Sequence, residues 1–169
     1  ILHKGGSWEV QRTSNFVAVI FDVGGGTGGD LVLQLKTSNL PAIAIAQQDV
    51  KYFNETMRYA GAVSPFENWT ITYNDYIDRD GFTTLGEWMK EVWNPETGGI
   101  GRAADYKKCG KIYMMDPEGQ QVGDREWRLE GVWPLSLSGA GFDMSTDGTP
   151  HEINLELSVD RAMAPGMVA

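Results

Sequence analysis

Along most of this chain apolar and polar residues alternate with period two, the spacing of a strand that buries one face. The stretch from His151 to Asp160 shows it most plainly: Ile153, Leu155, Leu157 and Val159 fall on one side. Glu152, Asn154, Glu156, Ser158 and Asp160 fall on the other, with no positive charge among them. Trp69, Ile71 and Tyr73 define a second such strand. From Arg125 to Ser138 the alternation is longest, with Trp127, Leu129, Trp133, Leu135 and Leu137 sharing one parity across Gly131. Pro134 has no N–H for a ladder, so this strand is expected to be bulged or at an edge there. Phe16–Phe21 is a short β-branched and aromatic run that reads as a buried strand, and Leu31–Leu35 and Lys111–Met115 read as further strands. After the break at Ser38-Asn39-Leu40-Pro41, Ala42–Ala46 leads into a strand over Asp49–Tyr52, and Asn54–Ala62 reads as a loop.

One segment changes period. In TTLGEWMKEVWNP, Leu85, Trp88, Met89 and Val92 form a single stripe at helical spacing. Thr84 followed by Glu87 matches a capping box, and Asn94-Pro95 stops the helix, which is expected over 83–94. Asp116-Pro117-Glu118-Gly119 carries a type I turn signature. The expectation is a mainly β protein, a sandwich or barrel, with one flanking α-helix. A single domain spans 1–169, with a flexible glycine-rich loop at 22–30 and a C-terminal tail at 161–169.

Composition narrows the function. At 169 residues, 41% hydrophobic and 22% charged, the chain is one ordinary globular domain. Its formal charge of −9 weighs against gripping nucleic acid, which takes a basic footprint, without excluding a protein that nucleic acid passes. Cys109 is the single cysteine, so neither a disulfide framework nor a cysteine zinc site is available; Lys107, Lys108 and Lys111 beside it would favour its thiolate. No apolar stretch approaches the length of a membrane span, and no signal segment opens the chain. It begins at Ile1, so some N-terminal residues are expected to have been removed or left out. The sequons at Asn54 and Asn68 matter only in a secreted eukaryotic setting.

The search for chemistry returns little. His3 and His151 have no His or Cys partner at metal-ligand spacing, and no serine sits on a nucleophile elbow. Asp75, Asp78 and Asp80 supply oxygen donors, but their spacing does not match a calcium hand and lacks its closing Glu. The glycines of GGGTGG, residues 24–29, lack the Gly-Lys-Ser/Thr that a phosphate loop needs, and Asp30 follows them. No catalytic, cofactor or metal set proposes itself, so an enzyme is not expected.

The order of several short motifs carries a resemblance. Asn15-Phe16 with Ile20 opens it, followed by the Asn39-Leu40-Pro41 break and the Trp69-x-Ile71-x-Tyr73 strand. The helix with Leu85 and Trp88 comes next, stopped at Asn94-Pro95, then Lys111-Ile112-Tyr113 and the DPEG turn. Trp127-Arg128-Leu129-Glu130-Gly131-Val132-Trp133-Pro134 and the Glu152–Asp160 strand complete the set, over roughly 15–162. In this order the chain resembles the tail tube protein family of bacteriophages with contractile tails. GGGTGG is longer than that family's pattern at its position.

The resemblance implies a β-sandwich-like domain that forms six-membered rings, stacked into a hollow tube in the virion tail and assembled in the bacterial host cytoplasm. It implies sheath, baseplate and tail terminator proteins as partners, a tape measure protein in the lumen, and DNA in transit without sequence-specific binding. On that basis Glu152, Glu156 and Asp160 are candidate lumen-facing acids, with solvent or sheath as the alternative they face. Gly24, Gly25, Gly26, Thr27, Gly28, Gly29 and Asp30, together with 54–64, are candidate ring-to-ring contact loops. Two other readings stay open: a tube of a type VI secretion or pyocin-like contractile injection machine, and a monomeric β-barrel that stacks sugars on its tryptophans.

Overall fold

The computed structural model describes residues 14–23, 31–33, 35–75, 81–139, 141, 148 and 150–167. Ten strands and two helices follow in chain order: β1 (Phe16–Ile20), β2 (Leu31–Leu33), β3 (Leu35–Ser38), β4 (Ile45–Tyr52), β5 (Glu55–Val63) and β6 (Trp69–Asn74) come first. Then come α1 (Gly81–Val92), α2 (Ala103–Tyr106), β7 (Lys108–Met115), β8 (Gln121–Gly139), β9 (Glu152–Ser158) and β10 (Arg161–Met163). All strand pairs are antiparallel.

The strands of the body form one path, β2-β1-β7-β8-β9-β6-β3, with β10 also on β8. Only Gln34 separates β2 from β3 in the chain, yet they end opposite sides of that path. The sheet is thereby folded back on itself into a mainly β sandwich. Its first layer is β2, β1, β7, β10 and the start of β8; its second is β3, β6, β9 and the end of β8.

Strand β8 makes the corner between the layers. It pairs with β7 up to Val132 and with β9 from Trp133 onward. Gly131, at φ 66°, is the extra residue where the register with β7 shifts. Its left-handed backbone suits glycine. Leu135 is a second extra residue, beside Pro134, where the register with β9 shifts.

These bulges correct the single parity expected for this strand. Leu129 faces the core before Gly131, Val132 and Pro134 face it afterwards, and Leu137 returns to it after the second shift. Trp133 turns outward onto Tyr106, ring centroids 5.8 Å apart, and Leu135 is exposed. Each bulge adds one residue and so exchanges the two faces.

The core between the layers holds Ala18, Ile20, Trp69, Ile71, Leu129, Val132, Ile153, Leu155 and Leu157, with Leu85 and Trp88 brought in by α1. Trp88 Nε1 donates to the Tyr106 carbonyl at 2.8 Å, tying α1 to α2.

Other expectations are corrected too. Helix α1 begins at Gly81, so Thr84 lies inside the helix and not at its cap. Gly81 opens the helix close against the Tyr73 ring, where a Cβ would stand 3.3 Å from Cε2. It stops at Val92 because Asn94 N–H turns to the Gly99 carbonyl, and α2 is a helix the periodicity did not announce. Residues 161–163 are a strand on β8, not a tail, in unbroken register with β9 across the bend at Asp160. Of the expected 22–30 loop, Val23 is core; residues 24–30 lie outside the described residues.

Candidate assembly surfaces

The largest departure from the sequence expectation is at 54–62. The stretch is not a loop: β4 and β5 form a two-stranded hairpin paired with no other strand. It is inserted between β3 and β6, anchored by the buried Pro41, by Phe66 packed on the core, and by Ser64 N–H on the Ala44 carbonyl at 2.8 Å. Every residue from 45 to 63 except Gly61 is exposed. We call this hairpin the arm.

The arm is amphipathic. Register places Val50 beside Met57, Gln48 beside Tyr59, and Tyr52 beside Glu55 on one face. The register shift between Ile45 and Gln47 adds its residue on β5, so the Ile45–Val63 pair falls on the other face, at the base of the arm. The opposite face pairs Asp49 with Arg58, Lys51 with Thr56 and Gln47 with Ala60. Gln47 Nε2 donates to Asp49 at 2.6 Å, and Arg58 lies 3.9 Å from the same carboxylate. These residues were missed because nothing in the subunit buries them. The period-two run Met57, Tyr59, Gly61, Val63 was the available signal.

The outer face of the second layer is polar throughout its middle. Thr70 and Thr72 on β6, Glu152, Asn154 and Glu156 on β9, and Ser136 and Ser138 on β8 point away from the core. Thr72 Oγ1 donates to Asn154 at 2.8 Å. Glu152 is ion-paired with Lys36 of β3, and Glu156 accepts from Asn68 Nδ2 at 2.7 Å. Taken alone β9 is purely acidic on this side; its neighbours supply a cation and an amide that moderate it.

Asp160 does not belong to that group. It lies in the bend after β9, opposite Gly131, with its N–H on the Glu130 carbonyl at 3.1 Å and its carboxylate on Lys107 at 2.5 Å. Its place is the corner of the sandwich.

On the first layer's outer face, Glu126 accepts from Arg128 Nε at 2.6 Å and lies 3.3 Å from Lys111 Nζ. Lys111 in turn stands 5.9 Å from the ring centres of both Phe21 and Tyr113. The Arg128 hydrogen bond holds the Glu126 carboxyl below the ordinary value of 4.5; partial burial opposes this and Lys111 adds to it. A depressed carboxylate contributes stability above its unfolded value and loses it as pH falls through the folded one. The urea midpoint is therefore expected to fall between about pH 4.5 and lower values, and to fall less steeply in Glu126→Gln. Identical slopes in the two proteins would remove this network from the acid response.

Among the described residues no three His, Cys, Asp or Glu side chains converge as a metal site, and no helix is long and apolar enough to cross a membrane. Asp75 meets His151 Nδ1 at 3.4 Å; Asp78 and Asp80 lie outside the described residues, as do His3 and Trp8. Trp69 and Trp88 are buried, Trp127 and Trp133 half-buried, and Trp93 alone of the described tryptophans is exposed. Among the described tryptophans only Trp93 therefore offers an open face on which a sugar could stack.

No family model matches the chain, and no curated protein matches it in sequence. Solved structures do match in fold. A chain of the PVC extracellular contractile injection system, from its sheath/tube terminator in the extended state, aligns at TM-score 0.70 and 13% identity, covering 94% of this chain and 98% of that one. One from the PVC sheath-tube complex in the extended state aligns at 0.68 and 13%, covering 93% and 92%. One from the cap of the anti-feeding prophage, its tube-terminating cap, aligns at 0.69 and 14%, covering 95% and 94%. At these identities the likeness is one of fold, and it extends over nearly the whole of each chain.

Proposed function

We propose that this chain is a structural subunit of the tube of a contractile injection machine: copies close into six-membered rings, and the rings stack into a hollow rod. The arm carries this reading. An isolated two-stranded hairpin is marginal in water, and this one exposes Val50, Tyr52, Met57 and Tyr59 along one face, with Ile45 and Val63 exposed at its base. Burial against a neighbouring copy supplies what the subunit withholds. The same contact in head-to-tail repetition builds rings and rods.

The outer face of the second layer suits the bore. Across β6 and β9 and at Ser136 and Ser138 of β8 it offers hydroxyls, amides and carboxylates, with the exposed Leu135 at the β8 bulge beside them. Glu152 and Glu156 then line the lumen. Asp160 leaves the group, since its carboxylate serves Lys107. In the bacteriophage form of the reading, the tube lies in the tail of a virion, meets sheath, baseplate and terminator, holds a tape measure protein, and passes DNA at ejection. A second form, a protein-delivering machine of the type VI or pyocin-like kind, is favoured by the Lys36–Glu152 pair, which removes charge that would repel phosphate. The nucleic-acid and protein content of purified particles separates the two forms.

The test of the shared reading is electron microscopy of the purified protein, in which rings or hollow tubes are expected. Val50→Asp with Met57→Asp puts charge on the arm's apolar face. Assembly is expected to be lost while the unfolding free energy from urea titration stays within about 0.5 kcal/mol of wild type, because both side chains are exposed in the subunit. A wild-type protein that remains a compact monomer at high concentration overturns the reading.

A further inference from the structure

The arm's tip breaks a local rule. Phe53 and Asn54 are the two residues between the paired Tyr52 and Glu55. Phe53 has φ 53°, and Asn54 is not among the residues with positive φ. This is the pattern of a type II′ turn, whose first central position favours glycine. A bulky residue held there is strained, and such strain points toward function. Phe53 is also 90% exposed, its ring edge-on to Tyr52 at 4.9 Å between centroids. Glycine would serve folding better, so the ring serves something outside the subunit.

A second broken rule lies on α1. Beside the stripe that enters the core, Phe82, Gly86, Met89 and Trp93 form another at i, i+4, i+7 and i+11. Phe82 and Trp93 are exposed, and Ile100, at 79% exposure, is bridged to Trp93. Glycine in a helix interior weakens it relative to alanine. Nothing in the subunit accounts for Gly86, since a Cβ there meets no atom within 4 Å. The segment behind it is firmly held: Asn94 N–H reaches the Gly99 carbonyl at 3.0 Å and Gly101 N–H the Val92 carbonyl at 2.9 Å. Gly86 thus leaves bare helix backbone between the exposed rings of Phe82 and Trp93, a notch in this apolar stripe.

We infer that the notch at Gly86, walled by Phe82, Trp93 and Ile100, receives Phe53 from the arm of a neighbouring copy of this chain. The occupant follows from complementarity. Among the described residues outside the arm, Leu40, Leu135 and Met167 are exposed singly, whereas Phe82, Trp93 and Ile100 gather about α1 with Trp93 and Ile100 bridged, which makes this the apolar receiver best matched to the Phe53 ring. Charge agrees: among the described residues Lys51 and Glu55 beside the tip make no ion pair, and exposed Glu87 and the Lys90–Glu96 pair lie on α1 and just after it, next to Gly86 and Trp93 in sequence. A probe and a receiver on different parts of one surface make a heterologous contact, the kind that propagates. The inference rests on the tube reading and adds where the arm lands.

Two substitutions test it, each directed at a rule the subunit breaks. Phe53→Gly removes the turn strain, and Gly86→Gln strengthens the helix while filling the notch. Both proteins are expected to unfold at a urea midpoint equal to or above wild type, yet to need at least tenfold higher concentration to assemble. In a Cys109→Ser background, Phe53→Cys with Gly86→Cys is expected to give covalent ladders on oxidation of assembled protein and none from either cysteine alone. Wild-type assembly with normal assembly of both single variants and no ladder overturns this landing site and leaves the tube reading standing. Absence of assembly by the wild-type protein overturns both.

Discussion

Gly131→Ala is expected to destabilise the subunit by about 3 kcal/mol or more, out of the roughly 5–15 kcal/mol of an ordinary domain. Three effects act together. A non-glycine residue at φ 66° costs about 1–2 kcal/mol. A Cβ at Gly131 would stand 2.5 Å from Cγ and 2.7 Å from Cβ of Asp160, a clash worth about 1–3 kcal/mol. Moving Asp160 also breaks its pair with Lys107, which, being partly exposed, adds at most about 1 kcal/mol. The bend lies where β8 passes from one layer to the other and where β9 breaks before β10, so the clash falls on the corner that joins the layers. Urea unfolding measures the loss. Gly119→Ala is the control: it also has positive φ, 82°, but faces open space, and about 1 kcal/mol is expected. Equal costs at the two sites would mean that the corner can move to accept a methyl group.

Trp69→Ala is expected to cost about 3–5 kcal/mol, the range for removing a large buried aromatic. Trp69 is fully buried at the start of β6, with its Nε1 donating to Ser38 Oγ at 2.8 Å. Its ring reaches the other layer: a Cβ placed on Gly110 of β7 would be 3.6 Å from Trp69 Cζ3. The indole thus packs directly on the backbone of Gly110, and truncation opens a void between the layers. Trp69→Phe keeps most of the volume and loses the hydrogen bond, for about 1–2 kcal/mol. Far-UV and near-UV circular dichroism alongside urea titration separates loosened packing from lost strands. A Trp69→Ala protein as stable as Trp69→Phe would show that the ring's volume is not what joins the layers.

Much of the body was legible because its signals are local. Trp69, Ile71 and Tyr73 are buried as their spacing requires, and so are Ile153, Leu155, Leu157 and Val159. Leu85 and Trp88 enter the core from the helix their period announces. The arm was misread because nothing among the described residues buries the apolar side chains of β5. Met57 and Tyr59 alternate with Thr56, Arg58 and Ala60, and glycine and alanine dilute the pattern toward its end.

What the sequence determined by itself was therefore the class of fold, the inward residues of β6, β9 and α1, and an order of motifs that resembles the tail tube proteins. Each depends on residues two to four positions apart, where backbone geometry alone decides which side chains share a face. Only the tertiary structure decided that Gly131 and Leu135 exchange the faces of β8, that Lys36 meets Glu152, that Asp160 belongs to the corner and not to the wet face, and that 45–63 is a paired arm with one apolar side. Those outcomes depend on partners far away in the chain: Lys36 and Glu152, or Gly131 and Asp160, meet only because the layers close. Register across strands, and the charge one strand lends another, exist only once the partner strand is in place.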